Sequence, residues 1–173
     1  MSMLSSATRR ELDVQRYPWI VVLVVPLVAI FLQAYVPRYI PKFGIVNLPL
    51  LVTIYFSVGW RNPVSGTLGG ALIGLVQDAL TNLPLGINGI SNSIVGFLAA
   101  SVGVKIDVEN PGTRLLMNFS FTLLNAGVYL FIVHRLLAFD LKTNWLHEVI
   151  KAVINSIIGV FVFDLLDRTR ARE

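Results

Sequence analysis

The chain has 173 residues, of which 55% are hydrophobic and only 14% charged, with a net charge of +4 and a mean hydropathy of +0.72. A soluble domain of this size needs far more charge to coat its surface. The apolar residues instead come in runs of about 17–25, the length of membrane-crossing helices, without the alternation over about ten residues that marks a barrel strand. The absence of cysteine excludes a disulfide framework, a thiolate nucleophile and a soft-metal site. Basic residues flank the apolar runs, which suits anionic headgroups and topology signals better than nucleic acid.

Residues 1–17 form a short polar tail with Arg9, Arg10 and Arg16. The apolar run that follows is too long for a signal-peptide core and lacks a small-residue cleavage pattern, so no cleavable signal is expected. A first span is expected over 18–36. Pro18 suits the first helical turn, Pro26 is expected to kink the middle, and Trp19 and Tyr35 sit near the two interfaces. Pro37, Pro41 and Gly44 bracket a loop. The second span, 44–60, carries Asn47 and Pro49 near its start, leaving room for a re-entrant or unwound segment there.

Arg61, Asn62 and Pro63 form a turn so short that the second and third spans must be antiparallel neighbours. In the third span, 64–80, Gly66, Gly70, Gly74 and Asp78 recur at every fourth position and share one helix face. A small-residue stripe in a membrane lets another backbone approach closely. Its partner, within the fold or in a second copy forming a homodimer, is left open by the sequence.

Asn82, Pro84 and Gly86 mark the next turn, and the fourth span, 87–104, repeats Gly89, Gly96 and Gly103 at seven-residue intervals. A polar connection from Lys105 to Arg114 leads to the fifth span, 115–137, with Asn118 and Asn125 one heptad apart. The sixth, 145–166, contains Asn155, Ser156 and Gly159, and 168–173 is a short basic tail. The fold class is therefore an all-α polytopic bundle of about six transmembrane helices, with the membrane domain over 18–167. With six spans, Arg9, Arg10, Arg16, Arg61, Lys105, Arg114, Arg168, Arg170 and Arg172 lie on the side of both termini. Arg38, Lys42, Arg135, Lys142 and Lys151 lie opposite. Nine against five favours both termini in the cytoplasm.

Asp78 is the leading candidate for a functional polar residue, because a carboxylate at membrane depth must face protein or water. A structural network, a partner or ligand contact, and ion transport are the readings open to it, in that order. Asn82 lies one turn beyond, and Asn88, Asn92 and Ser93 can fold back across the turn to meet it, while Asn88 and Ser91 can equally serve as helix caps. Asn118, Asn125 and Asn155 read as interhelical hydrogen-bonding groups, and Asp164 and Asp167 as an ion-pair network with Arg168. His134 and His147 fit the membrane interface better than a metal. No nucleotide loop, metal constellation or nucleophilic triad is present, so no catalytic residue, metal site or cofactor is expected.

The stretch GTLGGALIGLVQDALTNLPLGINGISNSIVGFLAA, residues 66–100, resembles the rod shape-determining MreD family. Gly70, Gly74, Leu75 and Asp78, followed by Leu80, Pro84, Leu85, Gly86 and Asn88, carry the likeness, and the arrangement of short tail, six spans and short loops extends it over nearly the whole chain. The resemblance implies a non-catalytic scaffold of the cell-elongation machinery. Its expected partners are a single-span MreC-type protein, the MreB-type filament, and the RodA-type glycosyltransferase with its penicillin-binding protein, with no role for nucleic acid. The fold also resembles the substrate-binding subunits of energy-coupling factor transporters, which makes a small-molecule-binding transporter subunit the alternative. The Ala-x-x-x-Ala patch common in the first helix of those subunits is missing here, since Ala29 is followed four positions later by Gln33.

Overall fold

The computed structural model describes residues 17–81, 84–106, 108, 110–135 and 144–169. Six α-helices make up the regular structure, with no strand among the described residues. They are α1 (Trp19–Tyr39), α2 (Leu48–Trp60), α3 (Pro63–Thr81), α4 (Ile87–Gly103), α5 (Pro111–Arg135) and α6 (Trp145–Asp167), with a 3₁₀ turn at Pro41–Ile45 before α2.

Helix α1 runs unbroken through Pro26 and also through Pro37, which the sequence had suggested as the start of a loop. One flank carries exposed Trp19, Leu23, Leu27 and Phe31, while Pro26, Ala29, Ile30 and Ala34 are buried on the other. Helix α2 is the central element. Every residue from Pro49 to Gly59 is buried, as expected of a helix that is apolar all round. Pro49 stands in its first turn, where the missing N–H would have had no partner. The unwinding anticipated near Asn47 takes the form of the 3₁₀ turn and the break that follows it.

Starts of helices follow one local rule. Asn47, Asn62, Asn110 and Asn144 each stand just before a helix and accept an N–H from its first turn. The donors are Leu50 (3.3 Å), Val64 (2.9 Å), Gly112 (2.8 Å) and Leu146 (3.1 Å). An Asn side chain at this position satisfies donors that have no intrahelical acceptor. Helices α1 and α4 depart from it: α1 follows Pro18 with no side-chain cap, and the N-cap of α4 is Gly86 in the left-handed conformation (φ 105°), where glycine has no side chain to offer.

Helix α5 starts at Pro111, so Arg114 belongs to its first turn and not to the preceding connection. Arg114 is buried, at 7% exposure. Its guanidinium donates to the Val108 carbonyl (2.6 Å) and pairs with Asp167 of α6 (2.5 Å), which also accepts from Tyr55 of α2 (2.9 Å). Asp167 is thus held by Arg114 and Tyr55, where the sequence had suggested an ion-pair network with Asp164 and Arg168. Asp164 pairs with Arg168 at 3.4 Å on the surface. Three helices and the segment from Pro41 to Trp60 include stretches long and apolar enough to cross a membrane: α1, α5 and α6, and that segment as one unit. Large apolar side chains stand exposed along α1, α3 and α6, among them Leu68, Leu72, Ile157 and Phe161. Such surfaces are disfavoured in water and natural in lipid. The protein is a helical membrane bundle.

Candidate functional site

The glycine face of α3 packs inside the chain. A Cβ at Gly66, Gly70 or Gly74 would fall well inside 3.0 Å of the backbone carbonyl oxygen of Gly96, Asn92 or Asn88 of α4, respectively. The register is regular: each step of four along α3 is matched by four in the opposite direction along α4. Backbones this close bring Cα–H groups against carbonyl oxygens, a contact that recurs where small residues line helix interfaces. Gly96 meets Gly66 reciprocally, Gly103 meets the Val58 carbonyl of α2, and Gly89 touches the Leu75 side chain.

One more step of four along α3 reaches Asp78, which is completely buried. Its carboxylate accepts from the backbone N–H of Gly86 (2.9 Å), Asn88 (3.1 Å) and Gly89 (3.3 Å), and from the Asn88 side-chain amide (2.7 Å). Asp78 thus caps α4 from the preceding helix, supplying the acceptor that Gly86 lacks. A carboxylate at a helix N-terminus also complements the positive end of the helix dipole. Of the described residues expected near Asp78, Asn88 is the one that bonds to it. Asn92 lies a turn further and accepts from Asn125 of α5 (2.9 Å), and the Ser93 hydroxyl donates to the Gly89 carbonyl (2.6 Å). Asn82 lies outside the described residues.

A cavity of about 590 Å³ opens at the end of the bundle where α1, α3 and α5 finish and α2, α4 and α6 begin. Seven of the described residues lining it are carboxamides: Gln33, Asn47, Gln77, Asn88, Asn125, Asn144 and Asn155. Six of these already serve the fold. The Gln33 carbonyl accepts from the Leu48 N–H (3.2 Å), and Asn155 accepts from the Asn47 N–H (2.8 Å) while donating to the Ile45 carbonyl (3.0 Å). Asn47 and Asn144 cap helices, Asn88 holds Asp78, and Asn125 holds Asn92. Tyr129, His147, Glu148 and Lys151 complete a polar rim, with Lys151 and Glu148 paired at 3.0 Å.

Asn88, Asn125 and Asn155 stand out in the sequence, but the cavity they help enclose does not. Gln33, Asn47, Asn144 and Lys151 are scattered over the chain with no shared spacing, and only the packing of α5 and α6 against α2 brings them together. Asn118 is fully buried beside Gly159, and its side-chain amide finds no partner among the described residues. No group of three or more His, Cys, Asp or Glu side chains placed to hold a metal occurs among the described residues.

Comparison with protein-family models matches residues 14–169 to the rod shape-determining protein MreD family. Comparisons with curated proteins and with solved structures return no match. The family match spans nearly the whole chain, and the chain belongs to the MreD family, whose role is in rod-shape determination.

Proposed function

We propose that this member of the MreD family is a non-catalytic scaffold of the cell-elongation machinery, holding a single-span MreC-type partner by a short polar segment seated in the carboxamide-lined cavity. The cavity is the observation that carries this reading. Carboxamides pair with backbone amides in both senses, donating to C=O and accepting from N–H. The volume is roughly that of one helical turn, from a diameter of about 10–12 Å and a pitch of 5.4 Å, so it takes a short segment beside the bundle and not a membrane-crossing helix. The crossing helix of the partner would lie in lipid against an exposed apolar flank, where packing and a few polar contacts set specificity.

In this reading all six helices cross the bacterial inner membrane with both termini in the cytoplasm. Helix α3 is diluted by glycine, Gln77 and Asp78, and it crosses as half of a hairpin with α4. The cavity then opens toward the periplasm, where a membrane-proximal segment of the partner enters it. Through that partner the chain links the MreB-type filament to the RodA-type glycosyltransferase and its penicillin-binding protein during lateral peptidoglycan synthesis. No bond chemistry is assigned to the chain itself.

Because the chain has no cysteine, a single Ala126→Cys on the cavity wall gives a clean cross-linking probe. Disulfide capture of cysteines placed in the membrane-proximal segment of the cognate MreC-type protein is expected. Capture only by cysteines on the outer flank of α1 would overturn the cavity as the docking site. A small-molecule-binding role is a second reading, favoured by the polar cavity itself. Against it stand the family match and the burial of Ala29 and Ala34 inside the chain, away from any energising partner. A stoichiometric small ligand retained through purification would decide for it.

A further inference from the structure

Six of the seven cavity carboxamides are engaged in holding helix starts and helix contacts, and Gln77 stands apart from them. It borders the cavity near the end of α3, its residue is only 6% exposed, and its side-chain carbonyl oxygen is buried with no donor among the described residues. A buried acceptor left unmade is costly, and native structures rarely keep one without a use. The other carboxamides cannot turn toward an occupant without breaking a bond that the fold depends on. Gln77 can, because its carbonyl oxygen has no bond to lose and its side chain has three torsions to turn about.

We propose that Gln77 is the specificity-determining residue of the cavity, its idle carbonyl accepting an N–H from the segment of the partner that docks there. This rests on the partner reading above and adds the residue that selects the occupant. Binding gains twice at this position: a new hydrogen bond forms, and an unmet acceptor is relieved. An occupant without a donor at that point, such as one with proline there, forfeits both gains.

The test uses the full chain in lipid nanodiscs with the full-length cognate MreC-type protein as probe, measuring affinity together with thermal stability of the free chain. Gln77→Met keeps length and flexibility and removes the acceptor. It is expected to weaken partner binding about tenfold while leaving the melting temperature unchanged or raising it by about 2–4 °C. Ser57→Ala is the control, since the Ser57 hydroxyl is another buried group without a partner among the described residues and does not line the cavity. It is expected to leave affinity unchanged. Unaltered affinity in Gln77→Met, or a fall in melting temperature alongside the affinity, overturns the proposal while the partner reading stands. Failure of the wild-type chain to bind the probe takes down both.

Should Gln77→Met fail to fold, glutamine-selective ¹⁵N labelling gives the same answer on the native sequence, whose glutamines are Gln15, Gln33 and Gln77. A shift of the Gln77 side-chain amide on adding the probe supports the proposal, and a stationary signal under saturation overturns it.

Discussion

The α3–α4 and α5–α6 hairpins are both antiparallel helix pairs of largely apolar sequence, yet they are held together by opposite means. Between α3 and α4 nothing larger than a hydrogen separates one backbone from the other at Gly66, Gly70 and Gly74, and the far end is closed by Asp78. Between α5 and α6 side chains intervene, with Asn118 against Gly159 and the Arg114–Asp167 pair at one end. The second hairpin meets the body of the bundle through a few polar ties, Asn125 to Asn92, Asn155 to the start of α2, and Asp167 to Tyr55, and leaves a cavity between. In lipid, burial of apolar surface does not distinguish a close contact from a loose one, so backbone approach makes the rigid unit and side-chain ties make the open one.

The sharpest way to break this contrast is a matched pair of glycine substitutions. A side chain at Gly70 would collide with the backbone of Asn92 and Ser93, while a Cβ at Gly127 of α5 has open space around it. Gly70→Leu is expected to cost about 4 kcal/mol or more, because the helices must separate along their whole register. Gly127→Ala is expected to be neutral or to gain up to about 1 kcal/mol from helix propensity. Unfolding in mixed detergent micelles measures both, and similar losses at the two positions would erase the distinction between the hairpins.

The same contrast explains how much was legible in the sequence. The four-residue glycine period in α3 is written in the chain, and so is the stripe it makes, because helical geometry fixes which residues share a face. The choice of α4 as its partner follows from the short turn between them. Asp78 was legible as a buried carboxylate in need of a partner. Its duty as a cap was not, because caps are sought one residue before a helix and this one stands eight residues before Gly86. Arg114 looks like a loop residue when the first apolar residue marks the helix start, but Asn110 followed by Pro111 is the cap signal that starts α5 a turn earlier. The cavity was invisible because its lining comes from all six helices and the 3₁₀ turn, and no local pattern encodes which ends converge.

Asp78→Ala tests the closed end of the tight hairpin. It leaves three backbone N–H groups and the Asn88 amide without their acceptor, and about 3 kcal/mol of stability is expected to go with it. Hydrogen exchange is expected to rise at Gly86, Asn88 and Gly89 first, whereas exchange that stays slow there would assign the cap to another group. Asn155→Ala is expected to cost about 2 kcal/mol, since the Asn47 N–H and the Ile45 carbonyl lose their partner at once. Its exchange signature falls elsewhere, at the break between Pro41–Ile45 and α2, with α3 and α4 unmoved. If the loosening spread to α3 and α4, the two hairpins would be one cooperative unit.

The smallest effect decides the most about the cavity. Asn92 and Asn125 form the one side-chain hydrogen bond found between α4 and α5 among the described residues, and it is the tie that spans the two hairpins. Interhelical hydrogen bonds in membranes average about 0.6 kcal/mol and reach about 1.7 at most. A double-mutant cycle with Asn92→Leu and Asn125→Leu is therefore expected to give a coupling near the lower figure, small enough for the α5–α6 hairpin to shift when the cavity fills. A coupling above the upper figure would mean that the two hairpins are locked, and an occupant would then have to fit the cavity as it stands.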